Sequence, residues 1–218
     1  MATPAKHGFS LIELLVVMAL IVILVGGVSQ ALRSDGSRGV ALQSAQAELA
    51  SLLGATRAQA VLRQTAARLL IDAGPPGGGE TVSYLRRLQI VHEEPPGSGQ
   101  WMPGGNPMFL PQGTFVVPPV VPTTHLIAGL NWAGGAYAPV STITGPTFVT
   151  VGDGAPSEAY FVEYRPDGRT DPAVTKLALS TAQPSLDSFP RFDNPRAVRG
   201  VRLRPAGTLG LVDSAADF

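Results

Sequence analysis

The sequence predicts an α+β protein in which a long N-terminal helix packs against an antiparallel β-sheet head. Two observations carry this prediction. An almost uninterrupted apolar segment near the N-terminus leads into a second stretch with helical periodicity, and the rest of the chain consists of short strand-like runs between Gly/Pro-rich segments. The 218 residues include 25 Gly and 20 Pro. These turn-forming residues concentrate after residue 73, which favours a loop-rich β domain there.

Residues 9–33 form the first half of the predicted helix and are expected to span a membrane. They follow a short leader, residues 1–8, and contain an apolar run from Leu14 to Val28. A bilayer-spanning helix needs roughly 20 such residues. One carboxylate, Glu13, lies at the start of the run, and a lone carboxylate in hydrocarbon costs on the order of 2.5–3.5 kcal/mol. A residue that costly is expected to have a partner and a function.

Residues 34–73 are predicted to continue this helix as an amphipathic segment outside the membrane. Within them, residues 40–72 place Leu and Ala at steps of three and four, and no proline occurs before Pro75. If helix were continuous over residues 9–72, it would be about 96 Å long at roughly 1.5 Å per residue. The stripe expected to lie on the sheet consists of Leu42, Ala45, Leu49, Leu52, Ala55, Ala58, Leu62, Ala66 and Leu69.

Residues 74–218 are predicted to form the β-rich globular head. Residues 160–165, Tyr-Phe-Val-Glu-Tyr-Arg, alternate as a half-buried antiparallel strand does, and Pro166-Asp167-Gly168 supplies a turn after them. The Pro/Gly-rich stretches 94–107 and 133–146 are predicted to be surface loops. The strand candidates are 82–91, 114–121, 147–151, 159–165, 174–180, 197–204 and 208–212, and the last two are expected to form a hairpin through Pro205-Ala206-Gly207.

The run Gly8-Phe9-Ser10-Leu11-Ile12-Glu13-Leu14 resembles the class III signal of type IV prepilins and type II secretion pseudopilins. In that family a membrane aspartyl peptidase cleaves after the Gly and N-methylates the new first residue. The resemblance implies cleavage between Gly8 and Phe9, methylation of Phe9, and a charge pair between Glu13 and the α-ammonium group of a neighbouring subunit. The alternative is a plain single-pass anchor with an incidental Glu.

The rest of the chain resembles, in outline, the H-type minor pseudopilins of type II secretion and the related FimT-type minor pilins. The segments that carry this second resemblance are Ala-Thr-Arg-Ala-Gln-Ala at 55–60, Tyr-Arg-Pro-Asp-Gly-Arg at 164–169, and the glycine-bearing hairpin at 198–212. The resemblance implies a pilin-like fold, with one half of the helix in the membrane and the other half on the sheet of the head.

Composition and motifs argue against an enzyme. The chain has no cysteine, which excludes a disulfide framework, Cys-ligated zinc and thiol catalysis. It contains no GxSxG, HExxH, GxxxxGK[ST] or EF-hand loop. His7, His92 and His125 are far apart in sequence, and Asp167 and Asp171 flank a turn. No metal site, cofactor or small-molecule substrate is therefore predicted.

A cluster of arginines lies near the C-terminus, although the formal net charge of zero argues against a strongly basic nucleic-acid module. On a strand, Arg202 and Arg204 would share one face, and such a stripe can track phosphates. Some FimT-type pilins use C-terminal arginines to capture DNA, so Arg199, Arg202 and Arg204 are candidate DNA contacts. The alternative is a solvated strand face whose arginines pair with aspartates. The cluster consists of Arg191, Arg196, Arg199, Arg202 and Arg204, and the available aspartates are Asp187, Asp193 and Asp213.

Together these features predict a structural minor pseudopilin, held once in the bacterial inner membrane with a periplasmic head and then built into a type II secretion pseudopilus for protein export. The expected partners are prepilin peptidase, the inner membrane, and other pilins or pseudopilins contacted through the N-terminal helix. A minor type IV pilin for pilus assembly, motility or DNA capture is the alternative, because it shares these features. Trp101 and Trp132 are expected to anchor loops or the core, with docking of a partner as the other interpretation.

Overall fold

The computed structural model describes residues 16–18, 20–21, 37–74, 83–122, 125–126, 132, 139–183 and 189–218. The chain divides into two compact units, Met1–Gly39 and Val40–Phe218. Gly8, Phe9 and Glu13 lie outside the described residues, as does most of the predicted membrane segment 9–33. Residues 16–18 and 20–21 of that segment are helical and exposed. In the part of the chain that the structure describes, no helix is long and apolar enough to cross a membrane.

Helix α1 spans Ser37–Arg63, and its buried face differs from the predicted stripe beyond Leu52. Three successive steps of three residues lead from Leu49 to Ala58. Each step falls about 60° short of a full turn at roughly 100° per residue, so the stripe drifts round the helix. Ala55, Ala58 and Leu62 are accordingly exposed, and their predicted burial is wrong. The observed buried face consists of Leu42, Ala45, Gln46, Leu49, Leu52, Leu53, Thr56 and Ala60.

Helix α1 also ends nine residues before the predicted boundary at residue 72. Gln64 has a φ of 55°, and this left-handed conformation ends the helix. Strand β1, Ala67–Asp72, then replaces the predicted last turns of helix. Leu69 and Ile71 face one side of the strand and Leu70 the other, and all three are buried, which suits a central strand covered on both faces.

Six strands form sheet A, in the order β3-β2-β1-β7-β6, with β4 also paired to β2. All of these strand pairs are antiparallel. Strand β3 lies inside the segment 94–107 that was predicted to be a loop, and β6 begins inside the loop predicted at 133–146. The bounds are β2 Arg87–Glu93, β3 Trp101–Pro103, β4 Met108–Phe109, β6 Thr144–Val149 and β7 Ser157–Tyr164.

Five strands form sheet B, in the order β11-β10-β8-β5, with β9 also paired to β8. Strands β10 and β11 make the predicted final hairpin, whose turn is closed by the Gly207 N–H donating to the Arg204 carbonyl at 2.7 Å. A 3-10 helix, Ala215–Asp217, follows. The bounds are β5 Thr114–Val116, β8 Lys176–Gln183, β9 Arg191–Phe192, β10 Val198–Leu203 and β11 Leu209–Val212.

The main hydrophobic core joins helix α1 to both sheets through buried residues such as Leu49, Leu69 and Leu177. A smaller cluster lies on the opposite face of sheet A. It consists of Leu70, Val91, Trp101, Val149, Ala159 and Phe161. The predicted α+β class, with a helix and antiparallel sheets, is confirmed.

Candidate functional site

Arg57 of helix α1 brings together the three segments that carry the pilin resemblance in the head. Its Nε donates to the carbonyl oxygen of Gly168 at 3.1 Å, and its Nη2 donates to that of Ala206 at 3.3 Å. The two turns also contact each other, because a Cβ at Gly207 would collide with the Gly168 carbonyl oxygen. Arg57 therefore holds the helix to the turn after β7 and to the β10–β11 turn.

Tyr164, the last residue of β7, is fully buried near Arg57. Burial raises the pKa of its hydroxyl to about 12, and the nearby Arg57 charge offsets part of this rise. The hydroxyl has no hydrogen-bond partner among the described residues. The phenol therefore stays protonated in the folded head at neutral pH.

Gln46 makes a second polar contact between helix α1 and sheet B, and it is only 2% exposed. Its Nε2 donates to the carbonyl oxygens of Gly200 and Val212, both at 2.9 Å. Its Oε1 accepts a bond from Arg199 Nη1 at 3.3 Å, and the same Nη1 also donates to Asp213 at 2.9 Å. Arg199 is thus tied to the helix and paired with Asp213, as the alternative interpretation of the cluster expects for this one arginine.

Arg202 and Arg204 are exposed, whereas Val201 and Leu203 between and beside them are buried, as expected for this strand. The Nη2 of Arg202 donates to the Asp217 carbonyl oxygen at 2.6 Å. Because β10 pairs without a bulge, Arg199 and Arg202, three positions apart, point to opposite faces. The three candidate DNA contacts therefore do not form one row.

Lys176 is the cross-strand neighbour of Arg202 on β8. Burial lowers the pKa of its ammonium group, and the Arg202 charge lowers it further. Lys176, at the start of β8, and Arg202 and Arg204, at and just beyond the end of β10, thus place three basic side chains at the same end of sheet B.

The two described histidines lie apart from each other. His92 Nε2 lies 2.9 Å from Arg63 Nη1 and 3.1 Å from Glu94 Oε2. His125 packs against Phe189, with ring centroids 4.3 Å apart, and burial lowers the pKa of its imidazole. Across the described ranges, no group of three or more His, Asp or Glu side chains is arranged to hold a metal ion.

Arg68 occupies the opposite, outer face of sheet A. Its guanidinium carbon lies 3.9 Å from the centroid of the Trp101 ring and 4.1 Å from that of Phe161. Its Nε donates to Glu163 Oε2 at 2.7 Å. Trp101 is 8% exposed and Trp132 is 3% exposed, so the anchoring interpretation of both tryptophans is confirmed. Trp101, however, lies on a strand.

Strands β3 and β6 end the strand order of sheet A. Trp101 of β3 forms a parallel bridge with Val151, two residues after β6, and the Gly152 N–H donates to the Trp101 carbonyl oxygen at 2.7 Å. Next to this bridge lies a groove of about 730 Å³, which we call the Arg68 groove. Its lining includes Arg68, Gln100, Trp101, Thr147, Phe148 and Phe161. Sequence reasoning missed this site, because Arg68 was assigned to a helix and its neighbours to distant segments.

One family model and a solved structure are similar to this chain. The family described as the prokaryotic N-terminal methylation motif matches residues 3–29, which confirms the predicted prepilin-type N-terminus. The minor pseudopilin EpsH from the type 2 secretion system of Vibrio cholerae is similar over 76% of this chain and 91% of that chain, with 16% identity and a TM-score of 0.37. At these values the likeness transfers neither fold nor residue roles. No curated protein sequence matches the chain.

Proposed function

We propose that the prepilin-type N-terminus makes this chain a filament subunit of the type IV pilin-like class, with a structural and non-catalytic role. The match of residues 3–29 to the N-terminal methylation motif carries this proposal. The head supports the proposal in two ways. Helix α1 begins at Ser37, shortly after the motif, and the buried face of this helix packs into an α+β core. This is the order of elements expected of a subunit with an assembly helix and a globular head.

In this proposal a prepilin peptidase cleaves between Gly8 and Phe9 and methylates Phe9. Glu13 then pairs with the α-ammonium group of Phe9 on a neighbouring subunit. Two charges that are each costly in an apolar filament core cost less together, and removing one leaves the other unpaired. Before assembly the subunit is a single-pass protein of the bacterial inner membrane, with its head in the periplasm.

Within this class we place the chain with the H-type minor pseudopilins of a type II secretion pseudopilus, which would serve protein export. The segments around Arg57, Gly168 and Ala206, on which that resemblance rests, support the placement because they form one contact. The alternative is a minor type IV pilin, including one that captures DNA. The exposure of Arg202 and Arg204 favours the DNA-capturing form of this alternative.

Mass spectrometry of the mature N-terminus tests the proposal, in cells with and without an active prepilin peptidase. We expect a methylated Phe9 terminus that requires the peptidase and is lost in Gly8→Leu. Gly39→Ala is the matched control, because a Cβ at Gly39 has nothing within 4 Å. An intact Met1 in the presence of the peptidase, or cleavage after Val28, would contradict the proposal.

Assembly is tested by co-isolation of the chain with filaments. Glu13→Val is expected to be processed normally but to be lost from filaments, because the α-ammonium group of the neighbour then lacks its carboxylate. Glu48→Gln, a partly exposed carboxylate of helix α1, is the control and should assemble like the wild type. Normal incorporation of Glu13→Val would remove the assigned role of Glu13.

The DNA-capture alternative is tested by the salt dependence of binding to duplex DNA. Replacing Arg202 and Arg204 with Ala should weaken binding and lower the salt slope by about 1 for each phosphate that is no longer neutralised. Replacing Arg38 and Arg63, two exposed arginines of helix α1, provides a control of equal charge. Equal binding by both double variants, or no binding by the wild type, would reject DNA capture through Arg202 and Arg204.

A further inference from the structure

We propose that the Arg68 groove binds an extended peptide segment of a partner protein and that a carboxylate of this peptide binds Arg68. The first support is the fixed position of the guanidinium group. Trp101 and Phe161 lie over it at 3.9 and 4.1 Å, and Glu163 holds Nε at 2.7 Å. Such stacking and ion pairing fix the plane of the group before any ligand arrives.

The second support is that the other two nitrogens of Arg68 remain available. Nη1 and Nη2 have no hydrogen-bond acceptor among the described residues, and 20% of the side chain is exposed. Two parallel N–H groups in this geometry match the two oxygens of a carboxylate. Glu163 and Asp171 lie in a smaller pocket that continues the groove, and Asp153 lines the groove itself. Their negative charges disfavour more highly charged anions such as phosphate.

The third support is the free edge of β6. This strand ends the order of sheet A, and residues 144–148 are exposed. A register shift between Thr144 and Thr147 leaves residues 147–149 as its regular part. An extended peptide can add to such an edge through main-chain hydrogen bonds. Phe148, 75% exposed, offers an apolar contact for a side chain of the same peptide.

The groove volume of about 730 Å³ lies within the range of roughly 300–1,000 Å³ typical of binding sites. A short segment of a partner, with an acidic side chain between apolar and hydroxyl-bearing residues, fits the lining of Arg68, Phe148 and the two threonines at 147 and 150. All of these residues belong to the unit Val40–Phe218. The proposal therefore does not depend on N-terminal processing or on filament assembly.

Fluorescence anisotropy with the full chain in detergent micelles tests this proposal. The probes are two labelled peptides with blocked termini, Thr-Val-Glu-Val-Thr and Thr-Val-Gln-Val-Thr. We expect the Glu peptide to bind at least about tenfold more tightly, a difference of roughly 1.4 kcal/mol. Arg68→Met should remove this preference, whereas Arg169→Met, on an exposed turn, should retain it.

Three results would overturn the proposal. The first is equal affinity of the wild type for the two peptides, and the second is an unchanged preference in folded Arg68→Met. The third is displacement of the Glu peptide by inorganic phosphate more effectively than by acetate. If Arg68→Met does not fold, amide hydrogen exchange of the wild type with each of the two peptides tests the proposal instead. Protection of residues 147–149 by the Glu peptide alone supports the proposal, and no protection rejects it.

Discussion

On the helix side of the head, Arg57 and Arg199 donate to carbonyl, amide and carboxylate oxygens of the protein itself. On the groove side, Arg68 donates one hydrogen bond, from Nε to Glu163, and is otherwise held by two aromatic rings. The difference shows how one residue type serves two purposes. An arginine that ties elements together uses its N–H donors within the fold. An arginine whose guanidinium group is held by aromatic rings keeps N–H donors for a ligand.

The largest effect that separates the two sides should come from their hydrophobic clusters. Leu49→Ala on the helix side is expected to lower the free energy of unfolding by about 2–5 kcal/mol, because Leu49 is fully buried in the main core. Leu70→Ala should cost less, because its cluster is small and borders the groove. Chemical denaturation measures both. Leu62→Ala, 82% exposed, is the surface control, with a change within about 0.5 kcal/mol. A larger loss for Leu70→Ala would reverse the comparison.

The next effect is a loss of stability at high pH on the helix side. The pKa of Tyr164 is raised from 10.0 to about 12, so the unfolded chain releases this proton before the folded head does. The stabilisation is complete below pH 10 and is lost as the pH rises towards 12, at about 1.4 kcal/mol per pKa unit. Tyr164→Phe should flatten the decline measured by denaturation at several pH values. Burial also raises the pKa of Tyr84 and of Tyr160, so some decline remains. An unchanged slope would contradict the assignment.

Gln46 should show an intermediate effect. Gln46→Leu removes the side-chain donor to the carbonyl oxygens of Gly200 and Val212. These two buried oxygens then lack that hydrogen bond, which is expected to lower the free energy of unfolding by about 1–3 kcal/mol. The free energy of unfolding measures this cost. Gln43→Leu, an exposed position of the same helix, makes the same chemical change without the contact. Equal effects of the two variants would show that the buried amide does not stabilise the head.

Arg57 should show the smallest effect and the sharpest contrast with Arg68. Arg57→Met removes two partly exposed bonds to the carbonyl oxygens of Gly168 and Ala206, which is expected to cost about 1 kcal/mol. Amide hydrogen exchange should increase in the two turns. The preference for the Glu peptide over the Gln peptide should be unchanged, whereas Arg68→Met should remove it. Loss of peptide binding in Arg57→Met would mean that the two sides are not independent.

The N-terminal motif and the later strands were accessible from the sequence because their signals are local. Gly8 to Leu14 form one short run, and the alternation of residues 160–165 marks β7 directly. The last hairpin, β10–β11, was found for the same reason. By contrast, the early end of helix α1 was hidden. Gln64 adopts a left-handed φ without the glycine that normally signals it, and the Ala/Leu pattern continues through β1.

The Arg68 groove could not be predicted, because it exists only after three distant segments meet. Arg68 lies on β1, Trp101 on β3 and Phe161 on β7, and the segment of Trp101 is rich in Pro and Gly. No spacing in the sequence relates these residues. The separation of Arg199 from Arg202 follows from strand alternation and could have been predicted, but the contact of Arg199 with Gln46 depends on how the helix packs.

The contact between Gln46 and Val212 has a consequence for the order of events during synthesis. The two residues are 166 positions apart, so the amide of Gln46 has no partner at Val212 until those 166 residues have been synthesised. Closing so long a loop is entropically costly and tends to slow folding. We expect the apolar face of helix α1 to stay uncovered during elongation until the β10–β11 hairpin has been made and can pack against it.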